Sequence, residues 1–304
     1  MGHHLSLTPA QAREQLLREP FKIRHSMARH PLFRLERLVR LAQSMDRDRI
    51  EYNAGSVGID QRPEDTPSID LPAAEVIASI ESANAWLVIK NVETDPDYRR
   101  LLQGSIEDIR RSTGAAAEEM SDVRGFIFIA SAHSTTPFHI DGEDNILVHI
   151  RGQKRVHVFD NEDRSLVGEA AMEMSPDKHR NQSYRPEFEA RAREFELEPG
   201  DGVHIPYLWP HWVATGPSHA VSMAITWKSP RVIRLNKIRT VNGLLRRVGL
   251  AQQPPGQKPA LDAIKVGAFT CGRMALQPLR RFEIARRMIR QVLAGSQANY
   301  FYKG

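Results

Sequence analysis

The spacing of apolar residues changes twice along this chain, from three- and four-residue steps near the start, to alternation in the middle, and back after residue 230. Between Pro31 and Met45, Leu32, Leu35, Leu38, Val39 and Ala42 fall on one side of a helix and Arg34, Arg37 and Arg40 fall away from it. Further helices are expected over residues 8–19, where Thr8-Pro9 offers an N-cap and a first-turn proline, and over Pro72–Asn84. Another should span Asp95–Ser112, with Tyr98, Leu101, Leu102, Ile106 and Ile109 as its apolar stripe. Residues 53–71, rich in Gly, Pro, Asp and Ser, read as a long connection, and Trp86–Ile89 as a short strand.

After Gly114 the pattern is that of strands: Gly125–Ile129, Asn145–Ile150, Arg155–Phe159, Glu194–Glu198, Val203–Pro206, His211–Val213 and Ala220–Trp227. Turn residues such as Pro199-Gly200-Asp201-Gly202 separate them, which predicts a sandwich or barrel. The polar interval 160–186 interrupts the series as a surface excursion near the mouth of whatever site the barrel holds. Helical spacing returns with Val232, Leu235, Ile238, Val241, Leu245 and Val248, and the prolines of Gln252–Pro259 break it. A last helix is expected over Met274–Leu293, with Leu279, Phe282, Ile289 and Leu293 on one side.

Composition narrows the class. At 304 residues, 41% hydrophobic and 26% charged, the chain is that of an ordinary globular protein with a sizeable core. No run approaches the roughly 18 apolar residues of a membrane span, and Met1–Leu5 shows no basic region leading into an apolar one, so no secretory leader is expected. The lone Cys271 excludes an intramolecular disulfide and a thiolate zinc site, and fits a reducing cytoplasm. Charge is divided unevenly. From Arg231 onward there are 15 Lys or Arg against Asp262 and Glu283, so this segment carries +13 and the first 230 residues carry −8. Such a tail should meet an acidic surface, whether the chain's own body, a second subunit, nucleic acid or anionic lipid.

The chemistry gathers at Thr136-Pro137-Phe138-His139-Ile140-Asp141. Side chains two apart on a strand share a face, so His139 and Asp141 can bind one ion together. His211, 70 residues after Asp141 and flanked by Trp209 and Trp212, is the candidate third donor. Two histidines and one carboxylate occupy one face of an octahedral Fe(II) and leave the other positions open. With 12 histidines in the chain, a His-x-Asp pair also arises by chance, and the residues alone leave a metal site and a satisfied core histidine equally open. His133, His149, His157, His204 and His219 read as core, surface or supporting groups.

The run from His139-Ile140-Asp141 through Asn145 to Gly152-Gln153-Lys154-Arg155, followed by Pro199-Gly200-Asp201 and Ile205-Pro206-Tyr207-Leu208-Trp209-Pro210-His211, resembles the JmjC and cupin-like branch of the Fe(II)/2-oxoglutarate-dependent oxygenases. It is nearest in pattern to the asparaginyl hydroxylase acting on hypoxia-inducible factor, and the likeness covers roughly residues 125–228. The resemblance implies iron on His139, Asp141 and His211. It also implies Lys154, thirteen residues after Asp141, on the distal carboxylate of 2-oxoglutarate, with Thr136 and Asn145 in the same pocket. Trp227 would face the cosubstrate from the last strand, although the asparagine that accompanies it in that hydroxylase is missing from Ile225-Thr226-Trp227.

The expectation is therefore an α+β chain with a mainly β core, a double-stranded β-helix of jelly-roll or cupin type. Residues 1–114 would form an N-terminal helical and mixed region, 115–230 the core and 231–304 a basic helical region. The implied activity is hydroxylation of a peptide or protein side chain or a small metabolite, with O2 and 2-oxoglutarate consumed. A cupin metal enzyme that does not use 2-oxoglutarate and a non-catalytic binding module are the alternatives. For the tail, a solvated arginine face comes first, then a homodimer through the C-terminal helices, then nucleic acid or anionic lipid.

Overall fold

The computed structural model describes residues 3–114, 119–173 and 181–278, together with 282, 284 and 288. The described strands are all antiparallel and form two sheets. The smaller holds β6 (Thr135–His139), β11 (His211–Thr215), β8 (Lys154–Val158) and β9 (Arg193–Leu197), in that order. At the centre of the larger are β10 (Asp201–Ile205), β7 (Asp144–Arg151), β12 (Ala220–Lys228) and β5 (Ser121–Ala130). These two sets of four face each other as the jelly-roll core expected from the strand pattern.

The N-terminal part does more than pack on that core. β1 (Leu5–Ser6) and β2 (Phe21–His25) extend the larger sheet beyond β10, and β4 (Ala85–Lys90) and β3 (Ile50–Ala54) extend it beyond β5. The helix expected over 8–19 is reduced to a five-residue π-type turn at Gln11–Gln15. Leu17 breaks it by turning left-handed, φ 66°, and its N–H donates to His204 Nε2 at 3.1 Å. α1 (Leu35–Ser44), α2 (Ala73–Ala78) and α3 (Pro96–Thr113) cover the outer face of the larger sheet. Asp95 caps α3 through the N–H of Asp97 at 2.9 Å, with Pro96 at the first position, the arrangement the sequence announces.

β7 and β12 are buried almost without interruption because both their faces are covered. Outward-facing Ile146, Val148, Met223, Ile225 and Trp227 join the helices in one cluster, and inward-facing Leu147 and Ala224 join Val156, Val158, Val203 and Val213 between the sheets. Each such aliphatic side chain contributes about 1.5–3 kcal/mol when fully buried. Gly152 makes the turn between β7 and β8 at φ +80°, where a Cβ would stand 2.5 Å from the His219 carbonyl oxygen. Only glycine fits there, and the turn sets where Lys154 begins β8.

The excursion after β8 carries α4 (Glu169–Glu173) and is fastened to α5 (Pro230–Arg247) by Glu169–Arg239 and Glu173–Arg246, both at 2.6 Å. Part of the acidic surface met by the basic segment is thus the chain's own body. After the proline-rich break comes α6 (Pro259–Leu276), a helix that the apolar pattern does not announce. Its small residues, Ala263, Gly267, Ala268 and Gly272, hide the periodicity, whereas most of the helix expected over Met274–Leu293 lies outside the described residues.

Candidate metal centre

His139 is the last residue of β6 and His211 the first of β11, and the two are register partners across the antiparallel pair. Their rings lie 4.1 Å apart between centroids. Asp141 stands two residues beyond the end of β6, with its carboxylate 3.9 Å from His139 Nε2 and 3.7 Å from His211 Nε2. One donor atom from each residue falls within 4.8 Å of the others. Nδ1 of His139 meets the Pro137 carbonyl at 2.7 Å and Nδ1 of His211 meets that of Trp209 at 2.9 Å. A carbonyl can only accept, so each Nδ1 carries the proton and each Nε2 lone pair is turned toward Asp141. Burial, and then the neighbouring His139, push the His211 pKa down to about 4, which keeps the ring neutral as a metal ligand requires. Two neutral imidazole nitrogens and a carboxylate oxygen suit a divalent first-row ion.

Lys154 is buried at 6% exposure with no hydrogen bond or ion pair among the described residues. Its ammonium lies 6.0 Å from the centre of the Phe128 ring, and burial alone pulls its pKa down to about 7. Such a cation is costly unless an anion joins it. Lys154 sits four residues along β8 from Val158, the register partner of His211, or about 13 Å of backbone. A lysine side chain and a five-carbon dicarboxylate together can bridge that span.

A cavity of about 700 Å³ is lined by His139, Asp141, Thr136 and Asn145, together with Phe128, against which the Lys154 ammonium lies; His211 and Lys154 themselves are buried and do not line it. Thr136 Oγ1 accepts from the Trp86 indole N–H at 3.0 Å. Asn145 is buried, its side-chain oxygen has no hydrogen-bond partner among the described residues, and its backbone carbonyl accepts from His204 Nδ1 at 2.9 Å. Such an orphaned acceptor costs about 1–3 kcal/mol until an occupant satisfies it.

Trp227 does not reach this cavity. It is fully buried in the outer cluster, stacked on His204 at 6.0 Å, because on β12 the odd positions face outward. From this strand Thr226 and Ala224 line the cavity instead. His133, His149, His157, His204 and His219 all stand apart from the donor cluster.

Sequence reading missed Trp86, Phe126 and Phe128, whose alternation on β4 and β5 does mark one face. It also missed the contribution of α5 and α6, from which Ile233, Asn236, Lys237, Phe269 and Arg273 close one side. Asn181 from the excursion bridges to His139 and lines the mouth, as the position of that segment suggested.

Residues 19–230 match the cupin-like domain family, Cupin_8. A curated relative, tRNA wybutosine-synthesizing protein 5 of Danio rerio, is 42% identical over 78 residues, so the match spans 24% of this chain and only 23% of that protein. Among solved structures, Escherichia coli ycfD aligns at a TM-score of 0.52 and 15% identity, covering 96% of this chain and 73% of that one. A structure of YcfD, described as a ribosomal oxygenase in complex with cobalt and 2-oxoglutarate, aligns at a TM-score of 0.49 and 15% identity over 89% of this chain and 68% of that one.

Proposed function

The chain belongs to the cupin-like domain family, and from that premise we propose that it is an iron(II)- and 2-oxoglutarate-dependent oxygenase acting as a hydroxylase. The observation that carries the reading is Lys154, a buried lysine without an anionic partner among the described residues, on the strand beside His211. The His139, Asp141 and His211 donors would suit many cupin metal enzymes; a dicarboxylate cosubstrate would in addition give the buried Lys154 a counter-charge.

In this reading His139 and His211 hold iron through Nε2 and Asp141 through its carboxylate, with both rings held by Nδ1–H bonds to backbone carbonyls. Lys154 receives the distal carboxylate, while Thr136 and Asn145 offer hydrogen-bonding groups along the way. Phe126 and Phe128 form an apolar wall that excludes water from that ion pair and strengthens it. When bound, iron with 2-oxoglutarate and O2 supplies the oxidation that turns a substrate C–H into C–OH, releasing succinate and CO2. The remaining cavity positions the substrate bond against the open side of the donor set. Anaerobic Fe(II) titration tests this: 2-oxoglutarate should add a visible charge-transfer band with wild type and not with Asp141→Ala. Its absence from wild type, with iron bound, would favour a cupin enzyme that does not use 2-oxoglutarate.

The wall charges bear on the substrate. Glu51 is paired with Lys90, and Asp122 and Glu143 share Lys228, with Arg124 also on Asp122, whereas Lys237 and Arg273 have no carboxylate partner among the described residues. A neutral or anionic peptide side chain or metabolite suits this mouth better than a cationic one. A nucleic-acid substrate is the second reading, supported by the same two cations and by the tRNA-linked name of the Danio rerio relative. Failure to retard tRNA at low salt would remove it.

The C-terminal helices also supply our reading of assembly. Leu261, Ile264 and Met274 of α6 are exposed at 45%, 66% and 66%, and a homodimer would cover them. A monomer mass by light scattering would exclude it. No described helix is long and apolar enough to cross a membrane. A single cysteine, Cys271, free and exposed, fits a reducing cytoplasm, which is our reading of the compartment.

A further inference from the structure

Asn236 lies on α5, far in sequence from the donor residues, yet its side-chain amide joins the two loops that carry them. Its Nδ2 donates to the Gly142 carbonyl at 2.8 Å, and its Oδ1 accepts from the Tyr207 hydroxyl at 2.9 Å. Gly142 follows Asp141 directly, and Tyr207 stands in the loop that leads from β10 to His211. The amide orientation is not arbitrary, since the Gly142 carbonyl can only accept and so requires the NH2 group. The same loops touch twice more through backbone N–H groups, Leu208 to the Asp141 carbonyl at 2.9 Å and Tyr207 to Asp144 Oδ1 at 3.0 Å. Leu208 holds φ 62°, a left-handed conformation that a leucine keeps only when its surroundings enforce it. Ser229 caps α5 by accepting from the Val232 N–H at 3.2 Å, and Val232 and Ile238 are buried, so Asn236 is presented from a fixed helix.

We propose that Asn236 is a positioning residue for the metal centre, acting through Gly142 and Tyr207 to hold the Asp141 and His211 loops at the spacing the ion requires. The proposal rests on the reading of Asp141 and His211 as metal ligands. Neither backbone contact involves α5, which meets the donor loops through the apolar packing of Val232 and Leu235 with Phe138, Ile140, Tyr207 and Leu208, and through the directional hydrogen bonds of Asn236.

The test is Co(II) binding to the full chain, followed by the visible absorption of the bound ion, beside the thermal midpoint of the metal-free protein. Asn236→Ala should weaken Co(II) about 10- to 100-fold, the range for groups that orient metal ligands, and should alter the band shape. Asn236→Asp, nearly the same in size but unable to donate to the Gly142 carbonyl, should do the same. Tyr207→Phe, which keeps the Gly142 contact, should weaken binding less, and adding it to Asn236→Ala should bring little further loss because both act through one link. Arg234→Ala, exposed on the same helix, serves as the control and should leave Co(II) affinity unchanged. Unchanged Co(II) affinity and spectrum in folded Asn236→Ala and Asn236→Asp would overturn the positioning role while leaving the metal reading intact. Failure of wild type to bind Co(II) would overturn both. Loss of affinity in Arg234→Ala equal to that in Asn236→Ala would reduce the effect to general damage to α5 and overturn the specific link.

Discussion

Replacing Lys154 by Met removes a charge and keeps most of the side-chain volume, so it separates the cost of this buried cation from its use. Its pKa falls from 10.5 to about 7 by desolvation alone. At about 1.4 kcal/mol per unit, the charged form is destabilised by about 5 kcal/mol in the metal-free fold. The unfolded chain holds this proton up to pH 10.5 and the folded chain gives it up near 7, so the unfolded state binds more protons between those values and stability rises with pH across that window. Metal-free Lys154→Met should therefore resist urea better than wild type at pH 7, by several kcal/mol, and the advantage should shrink toward zero as pH approaches 10.5. The same change should weaken 2-oxoglutarate binding by about 3–5 kcal/mol, a hundred- to several-thousand-fold in Kd, because a carboxylate is left buried without its counter-charge. Binding to Mn(II)-loaded wild type at pH 8.5, titrated calorimetrically in buffers of different ionisation heat, should take up about one proton as Lys154 is recharged. A Lys154→Met protein that is less stable than wild type at pH 7, and binds 2-oxoglutarate within threefold of it, would refute the reasoning.

The reassignment on β12 separates two substitutions one residue apart. Thr226→Leu should raise the KM for 2-oxoglutarate with little change in melting temperature, whereas Trp227→Phe should cost stability, about 1–3 kcal/mol, and leave that KM near wild type; the opposite pattern would put Trp227 back in the cavity. His204, its pKa lowered to about 4 by burial from the ordinary 6.5, makes the unfolded chain bind more protons between those values. Stability should fall by about 2 kcal/mol from pH 7 to pH 5 on its account, and His204→Gln should flatten that part of the urea-denaturation profile. Leu261→Glu with Ile264→Glu should convert a dimer to monomers by light scattering without loss of helicity by circular dichroism.

Much of the barrel was legible because its strands carry their own signals. The turn at Pro199-Gly200-Asp201, the alternation of Glu194–Glu198 and the capped start of α3 are local chemistry, and each element lies where that chemistry places it. Of the N-terminal strands only β4 was legible, in Trp86–Ile89; two-residue β1 and the polar stretch of β3 offer too little pattern to distinguish a strand from a loop, and they exist because edges of the larger sheet were there to pair with. α6 escaped because alanine and glycine leave no stripe to read.

The sequence by itself determined which candidate groups the chain carries and in what order: a histidine and an aspartate two apart, a lysine thirteen further on, and a histidine after a tight turn. It could not decide which face Trp227 would take, since a strand buried on both sides shows no alternation from which to tell inside from outside. Nor could it bring Asn236 to the donor loops, because that contact joins residues 94 apart and depends on how α5 packs back over the barrel mouth. Tertiary structure settled both, by pairing β6 with β11 and laying the C-terminal helices across the opening, so that distant side chains came within hydrogen-bonding reach.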